Sequence, residues 1–288
     1  MNKCLGCGKT IDDNEEYCER CFQIKYYNNY AIKGNILNNE EIIDIVNQYK
    51  VFTFFLCDFL NLNKRVVDYY NKIKNNKLFV ITKMDIIPKN VSINNFITNL
   101  KNIYGIKDPI LISIKNDFGL KELSCLIDEK QEVLLVGPSS SGKSSLINKL
   151  YNKNLIVSNL QNTTPDFNPI VMGNIKIIDS PGLQVNNNLI SKQAGYLRPI
   201  IINLKKDYSL IVNDYEFSFN NDANLTLYLD KSASYKTIKK TINTNETKIN
   251  DKNEVVIDNI GFMYLKDGLT MYINKLDNIE VRKSVISL

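Results

Sequence analysis

Residues 132–151, EVLLVGPSSSGKSSLINKLY, decide the fold. The apolar run EVLLVG predicts a buried strand, and SSLINKLY has helical periodicity. Between them Gly137-Pro138-Ser139-Ser140-Ser141-Gly142-Lys143-Ser144 satisfies G-x-x-x-x-G-K-[ST]. A strand before the loop and a helix after it are the context that gives this motif its meaning. The glycines let the backbone wrap a phosphate chain, and the N–H groups and helix N-terminus stabilise its charge. Gly137, Ser140, Ser141, Gly142, Lys143, Ser144 and Ser145 are therefore candidate phosphate-binding residues. Lys143 is expected to reach the β- and γ-phosphates and to act in catalysis, and Ser144 to ligate Mg²⁺. The plain alternative is an ordinary Gly/Ser turn.

Working outward, IKIID (175–179) reads as a strand that runs into Ser180-Pro181-Gly182. Asp179 can hold Mg²⁺ through water, and the N–H of Gly182 can meet a γ-phosphate. In the polar loop between, Thr163 or Thr164 can complete the Mg²⁺ shell only when γ-phosphate is present, which makes a switch. Upstream, Thr82-Lys83-Met84-Asp85 follows the strand KLFVI. Asp85 can accept both N1–H and N2–H of guanine, and Lys83 can pack its stem over the base. Ser113-Ile114-Lys115 follows PILI and can present an N–H to guanine O6. Each short motif is common by chance, but all of them follow strands within one α/β unit.

Strands alternate with helices from residue 39 onward, which predicts a parallel α/β sheet with ligands at the strand C-termini. NNEEIIDIVNQY reads as a helix capped by Asn39, VFTFFLCDF as a strand ending at Asp58, and SINNFITNLKNIYG as a helix closing at Gly105. After Pro199 the pattern changes to strand-like alternation with short turns. The expected organisation is a Cys-rich segment 1–34, a nucleotide-binding domain 35–198 and a β-rich domain 199–288.

Composition narrows the chemistry. The 288 residues include no His, which excludes Ser–His catalysis and any metal site with an imidazole ligand. Four of the six Cys form C-x₂-C-x₁₀-C-x₂-C at Cys4, Cys7, Cys18 and Cys21. Two such knuckles can hold structural Zn²⁺ with four thiolates, a redox dithiol being the alternative. Cys57 and Cys125 lie on apolar stretches and read as buried core thiols. The start lacks a signal-peptide core, and no run approaches the roughly 18 apolar residues of a membrane span. A soluble cytoplasmic protein without membrane contact is expected, where clustered Cys favour a metal. The net charge of +5 is unevenly spread. Residues 1–50 carry six basic against eight acidic groups, residues 51–199 eighteen against eleven, and residues 200–288 twelve of each. The middle excess suits a phosphate compound or a nucleic-acid surface. Phe22, Tyr26, Tyr27 and Tyr30 could stack on RNA, and a role in the finger's core or its seam is the preferred reading.

The order of the motifs is itself a signal. The base-side residues Asp85 and Ser113 precede the phosphate loop, the reverse of an ordinary small GTPase. With CLGCG, YCERCFQIKYYN, TKMDIIPK, the phosphate loop and DSPGL, the sequence resembles the circularly permuted GTPases of ribosome assembly, and among them the YqeH family. The resemblance implies an α/β fold: a circularly permuted P-loop GTPase domain with an N-terminal four-Cys zinc finger and a β-rich C-terminal domain, likened to the trp RNA-binding attenuation protein fold. It implies GTP as substrate with Mg²⁺ as cofactor, a structural Zn²⁺, and the small ribosomal subunit with its rRNA as partner. Leu183 stands where classical small GTPases carry a water-orienting Gln, which implies slow hydrolysis without a partner. Two positions depart from the pattern. Ser140 replaces an Asn that helps hold potassium in many relatives, and Thr82 replaces the usual Asn of N-K-x-D. An RNA-binding module in which nucleotide binding is not essential is the competing reading.

Overall fold

The computed structural model describes residues 2–4, 10–19, 22, 26, 37–151, 167–184, 195–240, 245–249, 254–258, 260–265 and 269–286. The chain forms two compact units, one of Met1–Asp85 with Asp108–Asn188, the other of Ile86–Lys107 with Leu189–Leu288.

In the first unit a short ladder pairs β1 (Asn2–Lys3) with β2 (Thr10–Ile11). Helix α1 (Asn39–Gln48) follows. Its cap is Asn38, not Asn39: Asn38 Oδ1 accepts from the N–H of Glu41, and Glu41 Oε2 accepts from the N–H of Asn38. Two adjacent Asn compete for this place, and the capping-box spacing to Glu41 selects the first. Then come β3 (Phe52–Asp58), α2 (Lys64–Lys72) and β4 (Lys77–Thr82). Helix α3 (Ile93–Tyr104) belongs to the second unit. The first unit resumes with β5 (Ile110–Leu111), α4 (Leu120–Lys130), β6 (Glu132–Val136), α5 (Lys143–Tyr151), β7 (Asn168–Met172) and β8 (Ile175–Asp179).

The six strands order as β5-β4-β3-β6-β8-β7. Five run parallel and β7 runs antiparallel to β8, so the sheet is mixed where a parallel one was expected. β7 alternates half-buried and exposed side chains and contains Pro169, both marks of an edge strand. The central strands are buried on both faces, from Phe54, Leu56 and Val80 to Leu135, and the apolar sides of α4 and α5 add Leu123, Ile127, Leu146 and Ile147. Cys57 is buried as expected, but Cys125 is exposed. The inward face of α4 is set by Leu120, Leu123 and Ile127, and a residue two past Leu123 points elsewhere.

The second unit is a β-sandwich of two antiparallel five-stranded sheets. One orders β13 (Tyr235–Lys239), β10 (Tyr208–Val212), β11 (Tyr215–Phe219), β17 (Leu269–Ile273) and β14 (Asn245–Ile249). The other orders β18 (Ile279–Arg282), β15 (Glu254–Ile257), β16 (Gly261–Leu265), β12 (Ala223–Leu229) and β9 (Ile200–Leu204). Leu210, Phe217, Phe219, Met271 and Ile273 meet Leu225, Leu227, Val255, Met263 and Leu265 in one core.

α3 joins this unit through buried polar contacts. Arg282 donates from Nε to Glu254 Oε1 at 2.8 Å and also contacts the Tyr104 hydroxyl. Tyr104 donates to Glu280 Oε1 at 2.9 Å, and Ser284 Oγ donates to Glu254 Oε2 at 2.8 Å. Glu254 and Arg282 are 0% and 5% exposed, so neither charge has water to fall back on. Removing one member of such a pair strands the other in a low dielectric. Arg282→Met is expected to destabilise the second unit by about 3–5 kcal/mol, read as an earlier urea transition of its β-sheet circular dichroism; a shift of less than about 1 kcal/mol, the scale of an exposed pair, would contradict the buried network.

Candidate nucleotide site

The site residues lie beyond the C-terminal ends of adjacent strands in the first unit. β6 delivers the phosphate loop. Gly137 has φ +153°, and a Cβ on it would lie 2.0 Å from the Leu56 carbonyl of β3. Only glycine lets the loop leave the sheet this close to its neighbour. Ser140 has φ +63° and Gly142 φ +97°, so the loop turns through left-handed backbone twice before α5 starts at Lys143.

Lys143 is buried and donates from Nζ to the carbonyls of Gly137 at 2.9 Å and Pro138 at 3.1 Å. Ser144 Oγ donates to Asp179 Oδ2 at 3.1 Å, which joins the helix start to the end of β8. Among the described residues, Asp179 Oδ1 is buried without a hydrogen-bond partner, and so are Ser139 Oγ and Ser141 Oγ. Burial pulls the Lys143 ammonium down to about 8, partly countered by Asp179. Burial likewise pushes the Asp179 carboxyl up to about 6, against the pull of Lys143 and of the Ser144 hydroxyl. Both charges are poorly solvated, the condition under which an added counter-charge is strongly held. An unpartnered carboxylate oxygen beside a hydroxyl is an oxygen donor set that fits Mg²⁺. Ser144 and Asp179 would hold it; Thr163 and Thr164 lie outside the described residues.

The segment after Asp179 is fixed on both sides. A Cβ on Gly182 would lie 2.8 Å from Ser139 Cα, so this glycine packs directly on the phosphate loop. Leu183 donates its N–H to Gly137 O and accepts from the Ser139 N–H, each at 3.0 Å. Its side chain is fully buried. The Asn39 side chain then clamps the backbone of Gln184, accepting its N–H at 2.7 Å and donating to its carbonyl at 2.6 Å. Sequence reasoning missed this use of Asn39, having assigned it to the cap.

The base side lies across β3. Thr82, at the end of β4, is buried and donates from Oγ1 to the Ser141 carbonyl at 2.7 Å. Asp85 Oδ1 accepts from Ser113 Oγ at 2.7 Å. Met84 N–H to Ile112 O at 3.1 Å further ties the two base-side loops. Lys83 has φ +58°, and its Nζ is 3.4 Å from Asp58 Oδ2. Asp58 is a second missed residue. Wholly buried, it also accepts N–H bonds from Leu60 and Asn61, so it holds both the loop after β3 and the head of Lys83. Its place at the end of a strand between two site strands was the available signal. Ile114 approaches the Cβ direction of Gly142 at 3.4 Å, and Lys115 is exposed.

The Cys-rich segment is described in part. Cys4 is buried, and its Sγ accepts the Cys18 N–H at 3.1 Å. Cys7 and Cys21 lie outside the described residues, among which no group of three or more His, Cys, Asp or Glu is placed to hold a metal. Phe22 and Tyr26 are 43% and 55% exposed. Their rings contact each other at 4.8 Å between centroids, so they are not the buried core that the sequence reading preferred. Tyr27 and Tyr30 lie outside the described residues. Among the described residues no helix is long and apolar enough to cross a membrane.

This arrangement defines a P-loop GTPase domain whose base-side strands come first in the chain. A family model described as 50S ribosome-binding GTPase matches residues 132–260, and one described as RsgA GTPase matches residues 60–189. The second match takes in Thr82–Asp85 ahead of the phosphate loop. The tRNA modification GTPase MnmE of Buchnera aphidicola subsp. Schizaphis graminum is 24% identical, over 94% of this chain and 58% of its own length. GTPase Der of Mycoplasma capricolum subsp. capricolum is 25% identical, over 95% of this chain and 68% of its own. The chain thus spans little more than half of that MnmE relative. The crystal structure of YjeQ from Thermotoga maritima aligns with a TM-score of 0.37 at 20% identity, over 47% of this chain and 49% of that one.

The Thr82 bond to Ser141 gives a direct test. Thr82→Val keeps the shape and removes the donor. GDP affinity is expected to fall about tenfold, the scale of one buried hydrogen bond, in a fluorescent-nucleotide titration; unchanged affinity would contradict its role in setting the loop.

Proposed function

We propose that this chain binds and hydrolyses GTP with Mg²⁺ and serves as an assembly factor for the small ribosomal subunit, like the permuted GTPases of the YqeH family that its sequence resembles. The observation that carries the GTP reading is the meeting, in one unit, of the phosphate loop, the Ser144–Asp179 pair and the Asp85–Ser113 pair. The ribosomal reading is supported by the resemblance and by one family model's description, 50S ribosome-binding GTPase; the choice of the small subunit rests on the resemblance alone.

Lys143 and the loop N–H groups bind and orient the β- and γ-phosphates, and Gly182 presents its N–H beside the loop. When bound, Mg²⁺ neutralises charge on the phosphate oxygens. Asp85 accepts the guanine N1–H and N2–H, with Ser113 and Lys115 beside it, and Lys83 packs on the base. Leu183 offers no polar group to orient a water, and the chain has no His to replace one. Hydrolysis is therefore slow until a ribosomal partner orders the site. Thr163 and Thr164 serve as the switch that senses γ-phosphate. Cys4, Cys7, Cys18 and Cys21 hold a structural Zn²⁺, a role that suits the N–H bond received by Cys4. The protein works in the cytoplasm.

Co-sedimentation with separated subunits tests the function. The wild-type chain is expected to pellet with small subunits in the presence of a non-hydrolysable GTP analogue and far less with GDP. Lys143→Ala should abolish that difference. Nucleotide-independent pelleting would favour the RNA-binding module, and pelleting with large subunits alone would move the partner. Metal analysis tests the finger: one zinc per chain is expected, lost in Cys4→Ser, and a zinc-free reduced chain would contradict it.

A further inference from the structure

Sequence reasoning assigns every serine of the phosphate loop to nucleotide binding except Ser139, which stands where the loop meets Gly182. Pro138 and Leu183 form an isolated parallel bridge, which draws the loop against the segment after Asp179. A Cβ on Gly182 would lie 2.4 Å from Ser139 Oγ, 2.8 Å from its Cα and 3.0 Å from its N. The hydroxyl therefore rests on the bare backbone of Gly182. The N–H of Ser139 already donates to the Leu183 carbonyl at 3.0 Å, so the donor that Ser139 can offer a ligand is its side chain. Ser139 Oγ is buried, and among the described residues it has no hydrogen-bond partner.

A buried hydroxyl without a partner costs stability. Alanine would keep the Cβ and avoid that cost, so packing alone does not account for a serine here. The neighbouring hydroxyls have other places. Ser180 Oγ donates to the Pro181 carbonyl at 3.0 Å, and Ser144 Oγ to Asp179 at 3.1 Å. Ser141 Oγ lies inside the loop, 3.2 Å from where a Cβ on Gly137 would stand. Ser139 is the one beside Gly182. We propose that Ser139 is a catalytic residue for GTP hydrolysis, its hydroxyl donating to an oxygen of the γ-phosphoryl group as the transition state forms. The proposal rests on the GTP reading of this site and adds a residue to it. Gly182 is the residue that presents its N–H to the γ-phosphate in that reading, so a group that meets one is within reach of the other. A donor already fixed in a water-poor site stabilises transition-state charge without reorganising solvent. Leu183, whose side chain is apolar and fully buried, supplies no such group. In the reaction a water oxygen forms the new bond to phosphorus, and the bond to the β–γ bridging oxygen breaks, its electron pair leaving with GDP. The water's proton ends on the released phosphate, and Ser139 keeps its own throughout.

The test is single-turnover hydrolysis of GTP by the full chain in Mg²⁺, with enzyme in excess. Affinities for GDP and for a non-hydrolysable GTP analogue are measured in parallel. Ser139→Ala deletes only the hydroxyl. Its hydrolysis rate is expected to fall at least about tenfold, as for loss of a preorganised donor to developing charge. Both affinities should stay within about twofold of wild type, the mark of an interaction made only in the transition state. An unchanged rate would overturn the proposal. Equal losses of rate and of both affinities would also overturn it, since that is the pattern of a residue that only shapes the loop. Failure of the wild type to bind guanine nucleotide would remove the GTP reading itself, and the proposal with it; normal binding with equal rates would remove the role of Ser139 alone.

Discussion

One hydrogen bond holds the two halves of the candidate site in register. Thr82 ends β4 and Ser141 lies in the loop after β6, 59 residues later, yet Thr82 Oγ1 meets the Ser141 carbonyl at 2.7 Å. Both ends are buried, so the bond competes with little water and fixes the height of the phosphate loop against the base-side strand. The parallel order β4-β3-β6-β8 makes this possible, because it brings all the relevant strand ends to one edge. Chain order then matters little. The base side can be made first and the phosphate side later, provided the strands take the same places.

The phosphate-loop side of the candidate site holds two poorly solvated charges. Lys143 and Asp179 are both buried, each displaced from its usual titration range by loss of water. Their mutual attraction only partly offsets that loss. In the proposed function a triphosphate would bring an anion to Lys143, and a divalent cation would bring positive charge to Asp179. The neighbouring Leu183–Gln184 backbone is bonded to the phosphate loop and to Asn39. A γ-phosphate reaching for Gly182 must therefore act on a segment whose backbone already has partners.

Much of this was legible in the sequence, and the exceptions have physical causes. The phosphate loop, the strand ends at Asp58, Thr82 and Asp179 and the β-rich region all announce themselves through period and turn chemistry. β7 did not, because an edge strand with Pro169 lacks the apolar run of its buried neighbours. Cys125 misled because apolar neighbours on a helix do not say which face a residue takes. Asn39 misled because its identity suits a cap, and only tertiary structure shows it bonded to residue 184. Periodicity marked α3 as a helix. It could not say that α3 would join the second unit through Tyr104, since its partners Arg282 and Glu280 lie 178 and 176 residues away.

The central claim is that one guanine nucleotide is held from both sides, by Asp85 at the base and Lys143 at the phosphates. The most direct test is competition between GDP and ADP for the full chain in Mg²⁺, by isothermal calorimetry. Asp85 would accept from N1–H and N2–H of guanine, whereas adenine has no donor at those two positions, so GDP is expected to bind at least about 100-fold more tightly, the scale of two hydrogen bonds to a charged group. Equal affinities for the two nucleotides would contradict the account.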